Sequence, residues 1–390
     1  MTSLRARLSG LIPGAGDIAF NRDRSAAVPE SRAPRRGYRS PRFRERQPHL
    51  VIVPIEGPQF HDWRPGTRNF YYEAYQSAVE ALGPGAVSVL DVAPGEAAHS
   101  WVKRLRDLLG DTDATHFLTH IEHDPGSPDS WTWDVAWNGI APEWDGVALG
   151  VMFDSAFDLV TMKARRLARM STNFVGVDIC MPMDGTLIRG RREVGPVTMP
   201  VSRQSLALIR ERIAGVTPTH DVSFIGALYP YRVELIEQLR SAGIDVAVNP
   251  HRTDTTHDFV TSRTNQPEWL DYMAGLAASR MSVNFSRSSA GGFEQLKTRV
   301  IEATLAGTFL LTDDRDRTRH YFDENVEFGS FAGTSELPAV IERWLDSSSR
   351  TVGARSAQKK AEAIAVTDFW SRIDEGLRIR ELPVTGVSVR

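Results

Sequence analysis

Apolar positions along the chain fall into two alternating periods. The run "HLVIVPI" (49–55) is continuous and is closed by "EGP", the pattern of a strand buried on both faces. The next segment, "NFYYEAYQSAVEALG", places Tyr71, Ala74, Tyr75, Ala78, Val79 and Leu82 at helical spacing, with Gly83 where a C-terminal cap belongs. "AVSVLDVA" predicts a second strand. "SWVKRLRDLLG" predicts a helix with Trp101, Leu105 and Leu108 on one face. "THFLTHIE", "GVALGVMFD" and "NFVGVDI" predict further strands, with the helical "LVTMKARRLARM" before the last. Strands alternating with helices predict a mostly parallel sheet covered on both faces.

The alternation breaks at "CMPMDGTLIRGRREVGPVTMPVS", which carries three prolines and reads as a closing turn and linker. "RQSLALIRERIAG" predicts a bridging helix. The pattern then restarts. "DVSFIG" (221–226) reads as a strand, "YRVELIEQLRSAG" as a helix and "IDVAVN" as a strand. "PEWLDYMAGLAAS" predicts a helix, "MSVNFS" a strand, "GGFEQLKTRVIEATLAG" a helix and "TFLLTDD" a strand. "LPAVIERWL" and the stretch near "AQKKAEAIAV" close the chain as late helices. The fold class expected is α/β, with two doubly wound Rossmann-like domains facing each other across a cleft. The expected divisions are 48–205 and 206–352, with helices in 353–390 packing back on the first domain. In such sheets ligands sit outside the carboxyl ends of the strands.

Charge changes the picture only at the N-terminus. Residues 1–47 hold eleven arginines, no lysine and four acidic residues, and are rich in Pro, Ser and Gly. They read as a disordered basic arm that buries too little apolar surface to fold. A sharper alternative is peripheral contact with an anionic membrane surface, here the inner face. Over the whole chain the net charge is −3, which argues against a nucleic-acid partner. The single cysteine, Cys180, rules out an intramolecular disulfide framework and a Cys-cluster zinc site. With no apolar run near the ~20 residues needed to span a bilayer, a cytoplasmic location is expected.

Candidate chemistry concentrates where "MSVNFS" runs through "RSSAGG" into the next helix. Gly291 and Gly292 leave room for a ligand to approach the backbone before a helix N-terminus, where an anion such as a diphosphate is favoured. A helix starting near Glu294 would place Glu294, Lys297 and Ile301 on one face, with Glu302 about 80° round from Glu294. A carboxylate at 302 stands among apolar or small neighbours, Ile301, Ala303 and Leu305. It is explained either by a hydrogen-bonding role, such as holding a ribose diol, or by pairing with Lys297 or Arg299.

These residues carry a resemblance. "FEQLKTRVIEATLAGTFLLTDD" resembles the C-terminal domain of GT-B glycosyltransferases of the group 1 type, and most of all the spore-maturation and spore-coat branch. "DVSFIGALYPYRVELIEQLRSAG" resembles the opening of that domain and "YFDENVEFGSFAGTSELPAVIERWL" its close, so the resemblance spans about 221–346. It implies transfer of a sugar from a nucleotide-sugar donor to a glycan, lipid or protein acceptor, without a cofactor or a metal. The family's Glu-x7-Glu motif falls on Glu294 and Glu302, implying contact with the transferred sugar by Glu294 and with ribose by Glu302. The glycines here precede the first Glu, whereas the family places them after it. Arg232 matches an arginine that many relatives use for the donor diphosphate. Arg287, Lys297 and Arg299 are further cationic candidates, and Gly226 lies in the same donor loop. Retention is the implied course, and inversion stays open because exostosin-type transferases carry a similar helix.

In the first domain the loop "EGPQFHDWRPGTRNF" offers Glu56, His61, Asp62 and Arg68 to an acceptor. Glu122, His123 and Asp124, at and just past the end of "THFLTHIE", and Asp154, at the end of "GVALGVMFD", are candidates for the base that an inverting reaction needs. His116 and His120 share a strand face, but their Cα atoms would be ~13 Å apart, too far to share a zinc ion. Alternatives to transfer are a sugar-nucleotide epimerase of the same fold and a non-catalytic binding or scaffold protein.

Overall fold

The computed structural model describes residues 46–54, 63–93, 96–121, 139–140, 144–153, 155, 157–170, 173–179, 193–226, 230–248, 269–287 and 294–377. In the first half these form strands β1 (Leu50–Ile52), β2 (Val87–Val89), β3 (His116–His120), β4 (Val147–Met152), β5 (Phe174–Asp178) and β6 (Glu193–Val194). All six pair in parallel, in the order β2-β1-β3-β4-β5-β6. Helices α1 (Phe70–Leu82), α2 (Ala98–Asp111) and α3 (Asp158–Met170) accompany them. The start of α1 is set by Asn69, whose side chain accepts the Tyr72 N–H at 3.0 Å, and its end by Gly83 at φ 90°. Every residue of β1, β3, β4 and β5 is buried, as parallel strands covered on both faces must be.

The bridging helix α4 (Arg203–Ile213) starts at Ser202, whose hydroxyl accepts the Ser205 N–H at 3.2 Å. A second parallel sheet follows: β7 (His220–Phe224), β8 (Val246–Val248), β9 (Ser279–Asn284), β10 (Phe309–Thr312) and β11 (Phe328–Ser330). Its order is β11-β10-β9-β7-β8. Helices α5 (Pro230–Ser241) and α8 (Leu337–Leu345) cover one face through Leu235, Leu239, Ile341 and Trp344. Helices α4, α6 (Trp269–Ala277) and α7 (Arg299–Leu305) cover the other, with Ile209, Met273 and Val300 in its core. Counted within each half, both sheets begin 2-1-3-4-5, and in each the strand order reverses between the first and third strands. Such a reversal opens a crevice at the strands' carboxyl ends, which is where α/β sheets bind ligands.

The last helix, α9 (Ser348–Leu377), joins the halves. Thirty residues of helix span about 45 Å. Ala357, Ala361 and Ala365 pack in the second core, while Phe369, Trp370 and Ile373 pack in the first. The Trp370 indole donates to Ser77 Oγ at 2.8 Å, and the Thr198 N–H donates to Asp368 at 2.8 Å. Among the described residues no helix is long and apolar enough to cross a membrane.

Three elements depart from the sequence reading. The 180–202 stretch contributes a short edge strand, β6. From residue 353 to 377 the expected late helices belong to a single 30-residue helix, α9, while "LPAVIERWL" forms α8 as expected. Most consequential, no helix begins near Glu294. Glu294 bridges Arg287 in an antiparallel pair, and the Gln295 N–H donates to the Ser286 carbonyl at 3.1 Å. Those bonds tie the segment to the end of β9, so helical bonding starts only with Val300 and Glu302 donating to Lys297 and Thr298.

Candidate active site at the second switch point

The described residues that follow β7 and β9 come together where the second sheet reverses. Gly226 follows β7 with φ 142°, a conformation that side chains disfavour. Its α-carbon faces the guanidinium of Arg299, the first residue of α7: a β-carbon at 226 would lie 2.5 Å from Arg299 Nη2. The same guanidinium stacks 5.6 Å from the Phe224 ring centroid. Among the described residues it has no hydrogen-bond or ion-pair partner, and its Nε is buried. This is a cation held by packing with its donors uncommitted.

Arg232 behaves differently. Only 5% of its surface is exposed, and its guanidinium lies 5.4–5.8 Å from the ring centroids of Tyr231, Phe224 and Phe285. Nε donates to the Tyr231 hydroxyl at 2.8 Å and Nη2 to the Arg287 carbonyl at 3.5 Å. It therefore ties α5 to the loop after β9. Arg287 itself is exposed, with its guanidinium over the outer side of Tyr231 at 5.9 Å.

Glu302 lies one turn into α7 and is buried. Oε2 accepts from the Tyr272 hydroxyl of α6 at 2.6 Å and, more distantly, from Thr298 at 3.5 Å. Oε1 forms a 2.7 Å ion pair with Arg68, which comes from the first domain. Burial, with the Glu302 charge second, pushes the Tyr272 phenol up, so it stays a neutral donor. Lys297 lines a mainly apolar cavity between the domains together with Glu302, Trp269 and Met199.

Glu294 is half-buried on the other side of the β9 loop, paired with Arg315 at 3.0 Å. It does not share a helix face with Lys297 and Ile301, because the helix starts after both Glu294 and Lys297. Nearby, Asp313 accepts the Ser286 hydroxyl at 2.9 Å and braces the end of β9. Asp316 is fully buried, accepting from Asn284 at 2.8 Å and from the Thr318 hydroxyl at 2.6 Å. Burial raises its carboxyl to about 7, with the charges of Asp313 and Asp314 adding to the effect. These carboxylates hold the turn after β10. Among the described residues no group of three His, Cys, Asp or Glu could hold a metal ion.

Gly291, Gly292, Glu122, His123, Asp124 and Asp154 lie outside the described residues, as do Glu56, His61 and Asp62. The structure brings together Gly226, Arg232, Arg287 and Arg299 around Phe224 and Tyr231, with Lys297 and Glu302 further along the same segment. His116 and His120 are buried in β3. His116 bonds Thr115 Oγ at 2.8 Å, and burial lowers its imidazole to about 4, with Arg46 as a second cause. His120 packs edge-on to Phe153, centroids 5.1 Å apart.

Sequence reasoning missed Tyr272 and the buried Glu73. Tyr272 sits in a helix that reads as apolar. Glu73 of α1 accepts the Ser202 N–H at 2.6 Å and the Ser205 hydroxyl at 2.5 Å. Its signal was a carboxylate among "FYYEAY", on a helix otherwise patterned for burial.

Residues 232–368 match the family model described as "Glycosyl transferase-like". Among solved structures the chain is similar to HepE of Anabaena in complex with UDP and glucose. The identity is 12%, the match covers 85% of this chain and 100% of that one, and the TM-score is 0.51. It is similar to sucrose-phosphate synthase of Thermosynechococcus elongatus, with 12% identity, coverage of 86% and 99%, and TM-score 0.52. An alpha-glucosyltransferase in complex with UDP and a 13-mer DNA gives 11% identity, coverage of 84% and 99%, and TM-score 0.52. The fold is GT-B. No curated protein matches the chain significantly. In GT-B terms, the matched residues 232–368 take in Arg232, Arg287, Lys297, Arg299, Glu302 and the first part of α9, whereas Arg68 and Gly226 fall before them.

Proposed function

We propose that the chain is a glycosyltransferase that moves a sugar from a nucleoside-diphosphate sugar, bound on the second domain, to a glycan, lipid or protein acceptor on the first. The observation that carries this reading is Arg299. Its guanidinium sits at the switch point of the second sheet, against a glycine, with no hydrogen-bond or ion-pair partner among the described residues. A pre-placed cation there meets the charge that develops on a leaving diphosphate. Arg287 is the second cation at the same loop, and Arg232 holds that loop in place. In this reading the charge is met by arginine without a metal. Glu302 accepts from the ribose and Glu294 faces the transferred sugar. Both keep the Glu-x7-Glu spacing, which favours a retaining course. The matched glycosyl transferase-like segment and the GT-B fold support the class of reaction.

The eleven arginines of residues 1–47 extend the proposal to a cytoplasmic enzyme in peripheral contact with an anionic surface, which flotation with anionic liposomes tests. The reaction is tested by titrating UDP, GDP and dTDP and by screening nucleotide sugars, with the product anomer read by NMR. Failure of all three nucleotides to bind overturns the proposal. An inverted anomer overturns the retaining course alone.

A further inference from the structure

The carboxylate assigned to ribose is already occupied. Arg68 reaches it from the loop that leads from β1 into α1. Residues 63–69 of that loop lie across the boundary between the domains. The Gly66 N–H donates to Ser205 Oγ at 2.9 Å, and the Gly66 α-carbon packs against the side chains of Leu270 and Leu208. Arg68 takes a left-handed backbone, φ 59°, which a bulky side chain adopts only when its surroundings impose it. From there Nη2 sits 2.7 Å from Glu302 Oε1 and 3.0 Å from Thr298 Oγ1, and the guanidinium lies 5.8 Å from the Tyr272 ring centroid.

The two oxygens of Glu302 are not equivalent. Oε2 is held from within the second domain by Tyr272, whose hydroxyl is kept neutral. Oε1 is held by a partner from the other domain. The Arg68 side chain is 40% exposed and that of Glu302 8%. The arginine can withdraw into water at small cost, whereas the carboxylate cannot be left buried without a donor.

We propose that Arg68 is an exchangeable occupant of the donor site: the ribose diol of a nucleotide replaces its guanidinium on Glu302 Oε1, and the exchange frees the 63–69 loop from the second domain. This rests on the glycosyltransferase reading and adds to it a residue of the first domain that senses donor occupancy. Tyr272 stays in place and presents Oε1 to the incoming hydroxyls. The left-handed Arg68 backbone relaxes when its side chain lets go, which favours exchange. While Arg68 is docked, only a fraction of molecules can accept the diol, so the apparent affinity is lowered by that fraction.

The test is isothermal titration of UDP, GDP and 2′-deoxy-UDP into the full chain and its Arg68→Ala and Arg68→Lys variants. Removal of the competitor in Arg68→Ala tightens binding of the preferred ribonucleotide by about fivefold, and Arg68→Lys stays close to wild type. The tightening is smaller for 2′-deoxy-UDP than for UDP, and equal tightening overturns the diol as the displacing group. Unchanged or weakened ribonucleotide binding in Arg68→Ala, with wild-type binding intact, overturns the exchange and leaves the glycosyltransferase reading standing. Binding of dTDP alone overturns the exchange and leaves that reading standing, whereas absence of binding by these nucleotides and by dTDP, in wild type and variants alike, overturns that reading and the exchange with it. Hydrogen exchange of the unmodified protein gives a second measure. Saturating nucleotide raises deuterium uptake across 63–69, and bound nucleotide with unchanged or reduced uptake there rules the exchange out.

Discussion

Arg299 Nη2 lies 2.5 Å from the point where a β-carbon on Gly226 would stand. Gly226 makes that approach possible, and the two residues act as one unit at the proposed diphosphate site. In Gly226→Ala the φ of 142° becomes strained and the guanidinium is pushed off Phe224. The atom that must yield is the end of a flexible side chain, so the fold survives. Nucleotide affinity drops by about tenfold, the scale of a charge-assisted hydrogen bond. Arg299→Ala loses a similar amount. Because both changes remove the same interaction, the double variant is no worse than either single one, a non-additivity that titration calorimetry of the set reads directly.

How far this site was legible follows from its parts. The fold class could be read because strand and helix periods alternate twice and each strand run is apolar enough to be covered on both faces. Gly226 and Arg299 could be singled out, but not their contact, because they stand 73 positions apart and nothing local sets the approach. Arg232 could be singled out as a candidate for the donor diphosphate, but not its burial. It is buried because Phe224, Tyr231 and Phe285, from three separate segments, close around it. Glu294 carried the right count to Glu302 but not the helix, because its backbone is spent on a bridge to Arg287. The Arg68–Glu302 pair joins two domains, and no sequence period reports on such a contact.

Glu73 holds the start of α4 to α1. Its carboxylate is fully buried, and burial raises its pKa, opposed by the hydrogen bonds from Ser205 and Ser202. Glu73→Ala strands the Ser202 N–H and the Ser205 hydroxyl at the domain junction. It lowers unfolding free energy by about 2–4 kcal/mol. Glu73→Gln keeps one acceptor and costs about 1 kcal/mol. Urea denaturation followed by tryptophan fluorescence measures both, and equal losses would show that the hydrogen bonds are not what Glu73 supplies.

Two buried groups pull stability in opposite directions across mildly acid pH. The carboxyl of Asp316 is raised from 3.8 to about 7 on folding, so the folded protein binds the extra proton. Its stabilising contribution is complete below pH 3.8 and is lost as pH rises toward 7. The imidazole of His116 is lowered from 6.5 to about 4, so its contribution is complete above pH 6.5 and is lost as pH falls toward 4. Together they flatten the wild-type profile. Asp316→Asn removes only the first effect. The melting temperature of Asp316→Asn relative to wild type therefore climbs from pH 4 to pH 8, and a flat difference would contradict the raised Asp316 pKa.

Trp370 tests whether α9 serves the reaction by fixing the first domain rather than the second. Its indole is buried in the first core, donates to Ser77 of α1, and meets Phe369 edge-on at 4.8 Å. The donor residues lie elsewhere, around β7, β9 and α7. Trp370→Ala opens a cavity and leaves the Ser77 hydroxyl without that partner, at a cost of about 3–5 kcal/mol. The loss falls on the first domain, because upstream Ala357 and Ala361 still anchor α9 in the second. Nucleotide affinity accordingly stays near wild type while acceptor-dependent turnover drops, and hydrogen exchange rises in α1 before it rises in α7. A matched fall in nucleotide binding would mean instead that α9 supports both domains as one cooperative unit.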